Sequence, residues 1–109
     1  SMSYLEFTVL LYLIISYSLQ RVIGSFKAIQ NTVLQEVGCH GYDFYIDSVV
    51  DAVRDSTIQQ KVPYSLVMYE QWETMQHLEV HMQTAHMKAH FDAVKDLVLD
   101  VKIRILEKQ

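Results

Sequence analysis

The order of hydrophobic and polar positions along the chain predicts four strands. Alternating or continuously apolar stretches, typical of strands, cover residues 5–15, 39–47, 64–72 and 98–106. The alternation assigns side chains to faces. It predicts that Tyr42 and Phe44 share one face of the second strand. In the third strand, Leu66, Met68, Glu70 and Trp72 point the same way, and in the fourth strand so do Leu99, Val101, Ile103 and Ile105.

Between the first two strands, the pattern changes to one that is typical of an amphipathic helix. Apolar residues recur there at steps of three and four; they are Val22, Ile23, Phe26, Ile29, Val33 and Val37. Ser18 stands where an N-cap is expected. Gly38 follows the last apolar position, where a helix end favours left-handed backbone. We therefore predict a helix over 19–37.

A second helical region lies between the third and fourth strands and is predicted in two segments. Thr74 is expected to cap the first segment and Thr84 to start the second. The apolar stripe of the second segment is predicted to consist of Ala89, Phe91, Val94 and Leu97. Residues 48–63 read as a long connection, with one helical turn after Ser48.

The element order β-α-β-β-α-β predicts an α+β, ferredoxin-like fold. One four-stranded antiparallel sheet with two helices on one face satisfies this order. Because aromatic and aliphatic residues occur on both faces of the strands, a helix-free apolar face would be left over. We therefore expect a homodimer in which a second subunit covers that face. We expect one domain over residues 3–107, since Ser1 and Met2 resemble a cloning remnant.

Composition and charge exclude several classes of protein. The chain has 109 residues and a net charge of -4, and its nine basic residues are scattered, so a nucleic-acid partner is not expected. Cys39 is the single cysteine, which excludes an intramolecular disulfide and fits a reducing compartment such as the cytoplasm. The uncharged run 7–19 is 13 residues long, whereas a membrane-spanning helix needs about 20.

Histidines cluster in the second helical region and pose the question of a metal site. They are His77, His81, His86 and His90. On one continuous helix, the first pair and the second pair would lie on nearly opposite faces, so a single ion could reach all four only if the helix broke near Thr84. Two histidines also need a third ligand, and neither Glu73 nor Glu79 has a suitable spacing. We predict no metal, and a solvated or structural role for His77 and His90.

Three stretches, GCHGY, VMYEQWE and HLEVHMQTAHMKAH, resemble the antibiotic biosynthesis monooxygenase (ABM) family. The shared pattern is E-x-W at a strand end, a histidine nine residues after the Trp, and then T-x-H; here it comprises Glu70, Trp72, His81, Thr84 and His86. The detailed match is with members that act on menadiol-like quinols. The resemblance implies a dimeric α+β barrel and dioxygen chemistry on electron-rich aromatic substrates, without a metal or tightly bound flavin.

The resemblance also suggests which residues carry the chemistry. A quinol can reduce dioxygen itself once a base removes a proton, and His81 and His86 are the candidate catalytic residues. Trp72 offers a large apolar face for stacking, and Met68 should add to the same wall. The other candidate substrate-binding residues are Tyr42, Phe44 and Glu70.

Other functions on the same fold remain open at this point. An isomerase of a small phosphorylated signalling molecule would need several basic residues near the phosphate, and the motif segment offers mainly Lys88. A haem-degrading relative would carry an Asn on the first strand, which is absent here. A non-catalytic quinone-binding protein would use the same pocket residues as the enzyme.

Overall fold

A computed structural model describes residues 7–109 and confirms the α+β, ferredoxin-like fold. Residues 5 and 6 of the predicted first strand, and Ser1 and Met2, lie outside this range. The elements are β1 (Phe7–Ile15), α1 (Leu19–Leu34), β2 (Cys39–Tyr45), α2 (Asp51–Arg54), β3 (Ser65–Trp72), α3 (Met75–Met82), α4 (Ala85–Val94) and β4 (Val98–Glu107). The short helix α2 is the helical turn predicted after Ser48.

The sheet is antiparallel throughout, with the strand order β2-β3-β1-β4. The register places every second residue of β1 and β3 on the side that the helices cover. On β3 these are Leu66, Met68, Glu70 and Trp72, all buried, as the alternation predicts. Tyr42 and Phe44 pair with Glu70 and Met68 and so share that side. The helices contact β2 and β3, whereas β4 forms the far edge.

Helix α1 is shorter than its apolar pattern predicts. It ends at Leu34, and the predicted extension to Val37 is wrong, since Val37 is 80% exposed. The N–H of Gln35 bonds to the carbonyl of Thr32 and the N–H of Glu36 to that of Val33, and these i→i−3 bonds tighten the last turn and end the helix. Gly38 does adopt left-handed backbone (φ 82°), but in the turn that leads into β2.

The start of α1 also differs from the prediction. Ser18 occupies the N-cap position, but its side chain makes no capping hydrogen bond. Its backbone is left-handed (φ 56°), and its carbonyl accepts hydrogen bonds from the N–H groups of Arg21 and Val22. The backbone turn therefore begins this helix without help from the hydroxyl.

The predicted break between α3 and α4 is confirmed, and two threonines define it. Thr74 Oγ1 accepts a hydrogen bond from the N–H of His77 and caps α3. Thr84 Oγ1 accepts one from the N–H of Met87 and caps α4, and it donates to the carbonyl of His81 at 2.8 Å. The same hydroxyl thus joins the end of one helix to the start of the next.

The predicted apolar stripe of α4 is confirmed at Val94 and Leu97, which are buried, and is wrong at Ala89 and Phe91. The buried residues of α4 are Met87, His90 and Val94, whereas Ala89 is exposed and Phe91 is 39% exposed. The cap at Thr84 fixes the phase of the helix, and this phase turns position 90 toward the sheet. Because His90 is polar by type, a search for apolar residues misses it.

Strict alternation in β4 holds only in part. Val101, Ile103 and Ile105 pair with Leu13, Leu11 and Val9 and share the helix side of the sheet. A register shift then occurs opposite Ile14 and Ile15, so that Val98 packs against the core and Leu99 is 69% exposed. The irregularity reverses the face of one residue, as a β-bulge does. Within residues 7–109, no helix combines the length and apolar character that a bilayer crossing requires.

Candidate active site

A cavity of about 560 Å³ lies between the sheet and the helices. Its sheet wall is aliphatic and comes from β1 and β4: Val9, Leu11, Leu13, Val101, Ile103 and Ile105. Its helix wall comes mainly from α3 and α4 and includes Leu78, Met82, Met87, Phe91 and Val94. Three buried polar side chains interrupt this apolar lining, namely Glu70, His81 and His90. Such a cavity suits a flat apolar ligand with few polar groups.

The carboxylate of Glu36 brings His81 and His86 together. Glu36 lies just past the end of α1, and its Oε2 accepts hydrogen bonds from His81 Nδ1 and His86 Nε2, both at 2.8 Å. The two histidines are on different helices, and the break at Thr84 gives each the angle to reach the same oxygen. Glu36 is mostly buried, with 12% of its side chain exposed, which strengthens these contacts.

The hydrogen bond that His81 Nδ1 donates to Glu36 fixes the state of the His81 ring. With Nδ1–H donated to the carboxylate, Nε2 of the neutral ring carries a lone pair. That nitrogen is buried and has no hydrogen-bond partner among residues 7–109. Burial lowers the pKa of His81 below its usual value, against the opposing effect of Glu36. His81 is therefore neutral at neutral pH and can accept a proton at Nε2.

Glu70 stands beside this free nitrogen. Its Oε1 lies 3.8 Å from His81 Nε2 and accepts a 2.9 Å hydrogen bond from Trp72 Nε1. Burial raises the pKa of Glu70 to about 7, and the bond from Trp72 opposes the shift. A carboxyl group of this kind can gain or lose a proton near neutral pH. The cavity thus holds two adjacent groups suited to proton transfer.

Aromatic rings hold His81 in place. The Trp72 and His81 ring centroids are 4.5 Å apart, and Tyr42 meets the same imidazole edge-on at 5.7 Å. Burial raises the pKa of the Tyr42 phenol, so it stays protonated, with its hydroxyl directed at Met87 Sδ. The ring contacts and the bond to Glu36 leave His81 little freedom to rotate.

The structure brings only some of the predicted site residues to the cavity. His81, Tyr42 and Glu70 line it. Four others are outside the lining: Trp72, Met68, Phe44 and His86. Trp72 and Met68 are fully buried, and Trp72 contacts His81 rather than the cavity. Phe44 packs against Phe26, with ring centroids 5.9 Å apart.

Two further residues belong to the site although sequence reasoning did not select them. Glu36 is 45 and 50 positions from its two histidines, so no local periodicity connects them. His90 is buried and lines the cavity, so a solvated role for it is wrong. The N-cap at Thr84 sets which side of α4 is buried, and counting helical positions from this cap could have identified His90 as buried. His77, in contrast, hydrogen-bonds to the capping hydroxyl of Thr74.

Glu36, His81 and His86 also form a candidate metal site. One ligand atom each from Glu36, His81 and His86 lies within 4.8 Å of the others. A carboxylate with two imidazoles is a donor set that zinc and other divalent transition metals accept. The sequence pattern lacked two conditions for a metal site. The helix break at Thr84 brings the two histidines together, and Glu36, distant in sequence, supplies the third ligand. Without an ion, the three groups satisfy one another by hydrogen bonds.

Comparisons with known proteins agree with this architecture. The sequence model of the antibiotic biosynthesis monooxygenase family matches residues 18–93. Proteins named "Probable quinol monooxygenase YgiN" from Escherichia coli K12 and Shigella flexneri are 49% identical over 88 residues, 81% of either chain.

Solved structures show the same fold at low sequence identity. PA3566 from Pseudomonas aeruginosa has a TM-score of 0.78 and 22% identity, covering 100% of this chain and 98% of its own. Rv0793 from Mycobacterium tuberculosis has a TM-score of 0.74 and 18% identity, covering 95% of both chains. The family match confirms the predicted family and the predicted enzyme class, an oxidoreductase. The chain belongs to the antibiotic biosynthesis monooxygenase family.

Proposed function

We propose that the protein oxidises quinol-like aromatic substrates with dioxygen and requires neither a metal nor a flavin. The observation that carries this proposal is the buried, unpaired Nε2 of His81 at an apolar cavity, with Nδ1 held by Glu36. The names of the relatives that are 49% identical point to quinols. A quinol supplies both electrons itself, so the protein needs to bind a ring and accept a proton.

The proton transfer follows from the orientation of His81. A quinol ring lies against the aliphatic walls, and one hydroxyl donates to Nε2. As the proton moves, the imidazolium that forms is stabilised by Glu36, because the carboxylate remains bonded to Nδ1. Glu70, 3.8 Å from Nε2, relays the proton onward. Trp72 supports both groups, through its ring against His81 and its N–H on Glu70.

Electrons then pass from the quinolate to dioxygen in two steps. The first gives a semiquinone and superoxide. The second, with the return of both quinol protons to oxygen, gives quinone and hydrogen peroxide, so that QH₂ + O₂ yields Q + H₂O₂. Insertion of one oxygen atom into a ring C–H bond instead yields a hydroxyquinone and water. The atoms and electrons of this reaction also balance. Oxygen-18 in the product separates the oxidase outcome from the monooxygenase outcome.

The isomerase alternative gains no support from the cavity. Among the described residues that line it, Lys95 is the single lysine or arginine, and Lys88 is not part of the lining. A phosphorylated substrate would meet mostly aliphatic walls and two carboxyl groups, those of Glu70 and Glu79. The non-catalytic quinone-binding alternative fits the same walls, so an activity measurement must decide.

The test is oxidation of menadiol by chelator-treated protein. Enzyme and menadiol are mixed without oxygen, air is admitted, and menadione formation and oxygen uptake are followed against autoxidation. We expect acceleration that survives the chelator and falls about a hundredfold or more in His81→Gln. His77→Gln, on the same helix but outside the cavity lining, should retain the rate. Binding without acceleration would identify a carrier, and activity lost with the chelator would identify a metalloenzyme.

We also propose that the protein is a cytoplasmic homodimer. The helix-free face carries partly exposed aromatic side chains, including Tyr12 and Tyr45. A second copy packed sheet to sheet would cover them. The unpaired Cys39 suits a reducing compartment, and burial raises the pKa of its thiol to about 11, which keeps it unreactive.

A further inference from the structure

We propose that His90 provides a second polar contact for the substrate, so that the cavity selects rings that carry two oxygen substituents, as 1,4-quinols do. His81 would bind one oxygen and His90 the other. This inference rests on the proposed function and adds to it a substrate class and a specificity-determining residue. The shared pattern of E-x-W, a histidine and T-x-H does not include position 90, which is the last residue of the stretch HLEVHMQTAHMKAH.

His81 and His90 each carry one buried ring nitrogen without a hydrogen-bond partner in the part of the chain that the structure describes. Among residues 7–109, two buried side-chain polar atoms have no hydrogen-bond partner, and they are Nε2 of His81 and Nε2 of His90. Both side chains line the same cavity, and both are at most 3% exposed. Buried polar atoms are almost always paired, so an unpaired atom at a cavity wall indicates a partner that enters the cavity. Here two side chains that line one cavity each carry such an atom.

The two histidine rings are held independently of each other. His90 Nδ1 hydrogen-bonds with Ser25 Oγ of α1 at 2.8 Å, and its ring packs on Phe26 with centroids 4.2 Å apart. His81 is held by Glu36 and Trp72. Each free nitrogen therefore has its own fixed position on the wall. A ligand with a single oxygen can satisfy one of them, whereas a ligand with two can satisfy both.

The protonation state of His90 suits a hydroxyl group as its partner. Burial lowers the pKa of His90 to about 4, so the ring is neutral at neutral pH. The Ser25 hydroxyl can donate to Nδ1 or accept from it, so Nε2 can be either donor or acceptor. A quinol hydroxyl matches both forms because it also donates and accepts. An aliphatic residue at position 90 would fill the same space without leaving an unpaired atom in the free protein.

The test compares two ligands that differ by one oxygen. Binding of menadiol, with two ring hydroxyls, and of 2-methyl-1-naphthol, with one, is measured by anaerobic calorimetry on metal-free wild type and His90→Met. We expect His90→Met to weaken menadiol about tenfold and the naphthol less than twofold. His90→Gln should recover part of the menadiol affinity. The melting temperature of His90→Met should stay close to that of wild type, since removal of an unpaired nitrogen offsets the loss of the hydrogen bond to Ser25.

Each other outcome counts against the inference. Equal weakening of both ligands, or a lower melting temperature with both ligands weakened, would assign His90 a structural role through Ser25. Unchanged menadiol affinity in His90→Met would also overturn the inference. If the wild type still oxidised menadiol, the proposed function would stand without it. Absence of menadiol binding to wild type would refute both. His77→Met serves as the matched control and should change neither affinity.

Discussion

At the residue scale, the proposed chemistry depends on one oxygen atom, Oε2 of Glu36. It holds the Nδ1 of His81 and thereby leaves the other ring nitrogen free for a substrate. It also binds His86, which lines no part of the cavity and acts on the site only through this carboxylate. Glu36 is thus a positioning residue for the proposed base, and His86 helps to position Glu36.

Glu36→Gln tests that role. The amide oxygen of Gln can still accept hydrogen bonds, but it carries no charge, so it holds the two rings less strongly and does not stabilise the imidazolium. We expect kcat for menadiol to fall about tenfold to a hundredfold, with KM changed little. Steady-state oxygen uptake gives both constants. An increase in KM at constant kcat would show instead that Glu36 shapes substrate binding, and His86→Gln should give a smaller loss of kcat than Glu36→Gln.

Glu70 makes stability depend on pH in an unusual direction. Its pKa rises from 4.5 in the unfolded chain to about 7 in the folded protein, so folding takes up a proton between these values. The free energy of unfolding therefore falls as pH rises from about 4.5 to 7. In Glu70→Gln this contribution is absent. The variant should gain up to about 3 kcal/mol relative to wild type between pH 4 and pH 8.

Urea unfolding at both pH values measures this difference. Because the other titrating groups are common to both proteins, their contributions cancel in the comparison. A stability difference that stays constant from pH 4 to pH 8 would show that Glu70 keeps its ordinary pKa. It would then be ionised at neutral pH beside His81.

At the element scale, the break between α3 and α4 sets the geometry of the site. Thr84 caps α4 and bonds to the last turn of α3, while Thr74 caps the start of α3. Each Thr→Ala change should lower the free energy of unfolding by about 1 kcal/mol. Only Thr84→Ala should also lower kcat, since it loosens the angle that brings two histidines to Glu36. Equal activity in the two variants would contradict this.

Gly38 provides a second prediction at this scale. A Cβ on this glycine would come within 2.4 Å of His77 Cγ, and the φ of 82° disfavours other residues. The turn also receives the N–H of Glu73 at the Gly38 carbonyl. Gly38→Ala should therefore destabilise the protein by about 1–3 kcal/mol in urea unfolding. Gly24→Ala is the control, because a Cβ there meets nothing within 4 Å and the helix gains propensity.

The elements could be predicted from sequence because their signals are local. The alternation of β3 and the threonine caps of α3 and α4 each depend on residues a few positions apart. Two predictions about the elements failed, and each failure has a non-local or backbone cause. They concern the early end of α1 at Leu34 and the register shift that exposes Leu99. The Glu36 cluster depends on contacts 45 and 50 positions apart, which no periodicity reports. His90 was missed because its residue type concealed its burial.

At the scale of the whole molecule, the sheet has one face covered by helices and one uncovered. Tyr12, at the middle of the central strand β1, is 41% exposed on the helix-free face. If a second copy packs there, Tyr12→Asp should place a charge in the interface and shift the protein from dimer to monomer. Sedimentation velocity measures this, and Tyr17→Asp, at an exposed position outside the sheet, is the control. A wild type that sediments as a monomer would contradict the proposed assembly.

The measurement that tests the central claim most directly is the pH dependence of kcat/KM for menadiol, with metal-free wild type and His81→Gln. If His81 accepts the quinol proton, kcat/KM should fall as pH decreases, because protonation at Nε2 removes the acceptor. Since burial lowers the pKa of His81, the midpoint should lie below pH 6.5. His81→Gln should be slow and should lack this limb. A His81→Gln profile that matches wild type in rate and shape would show that the proton goes elsewhere.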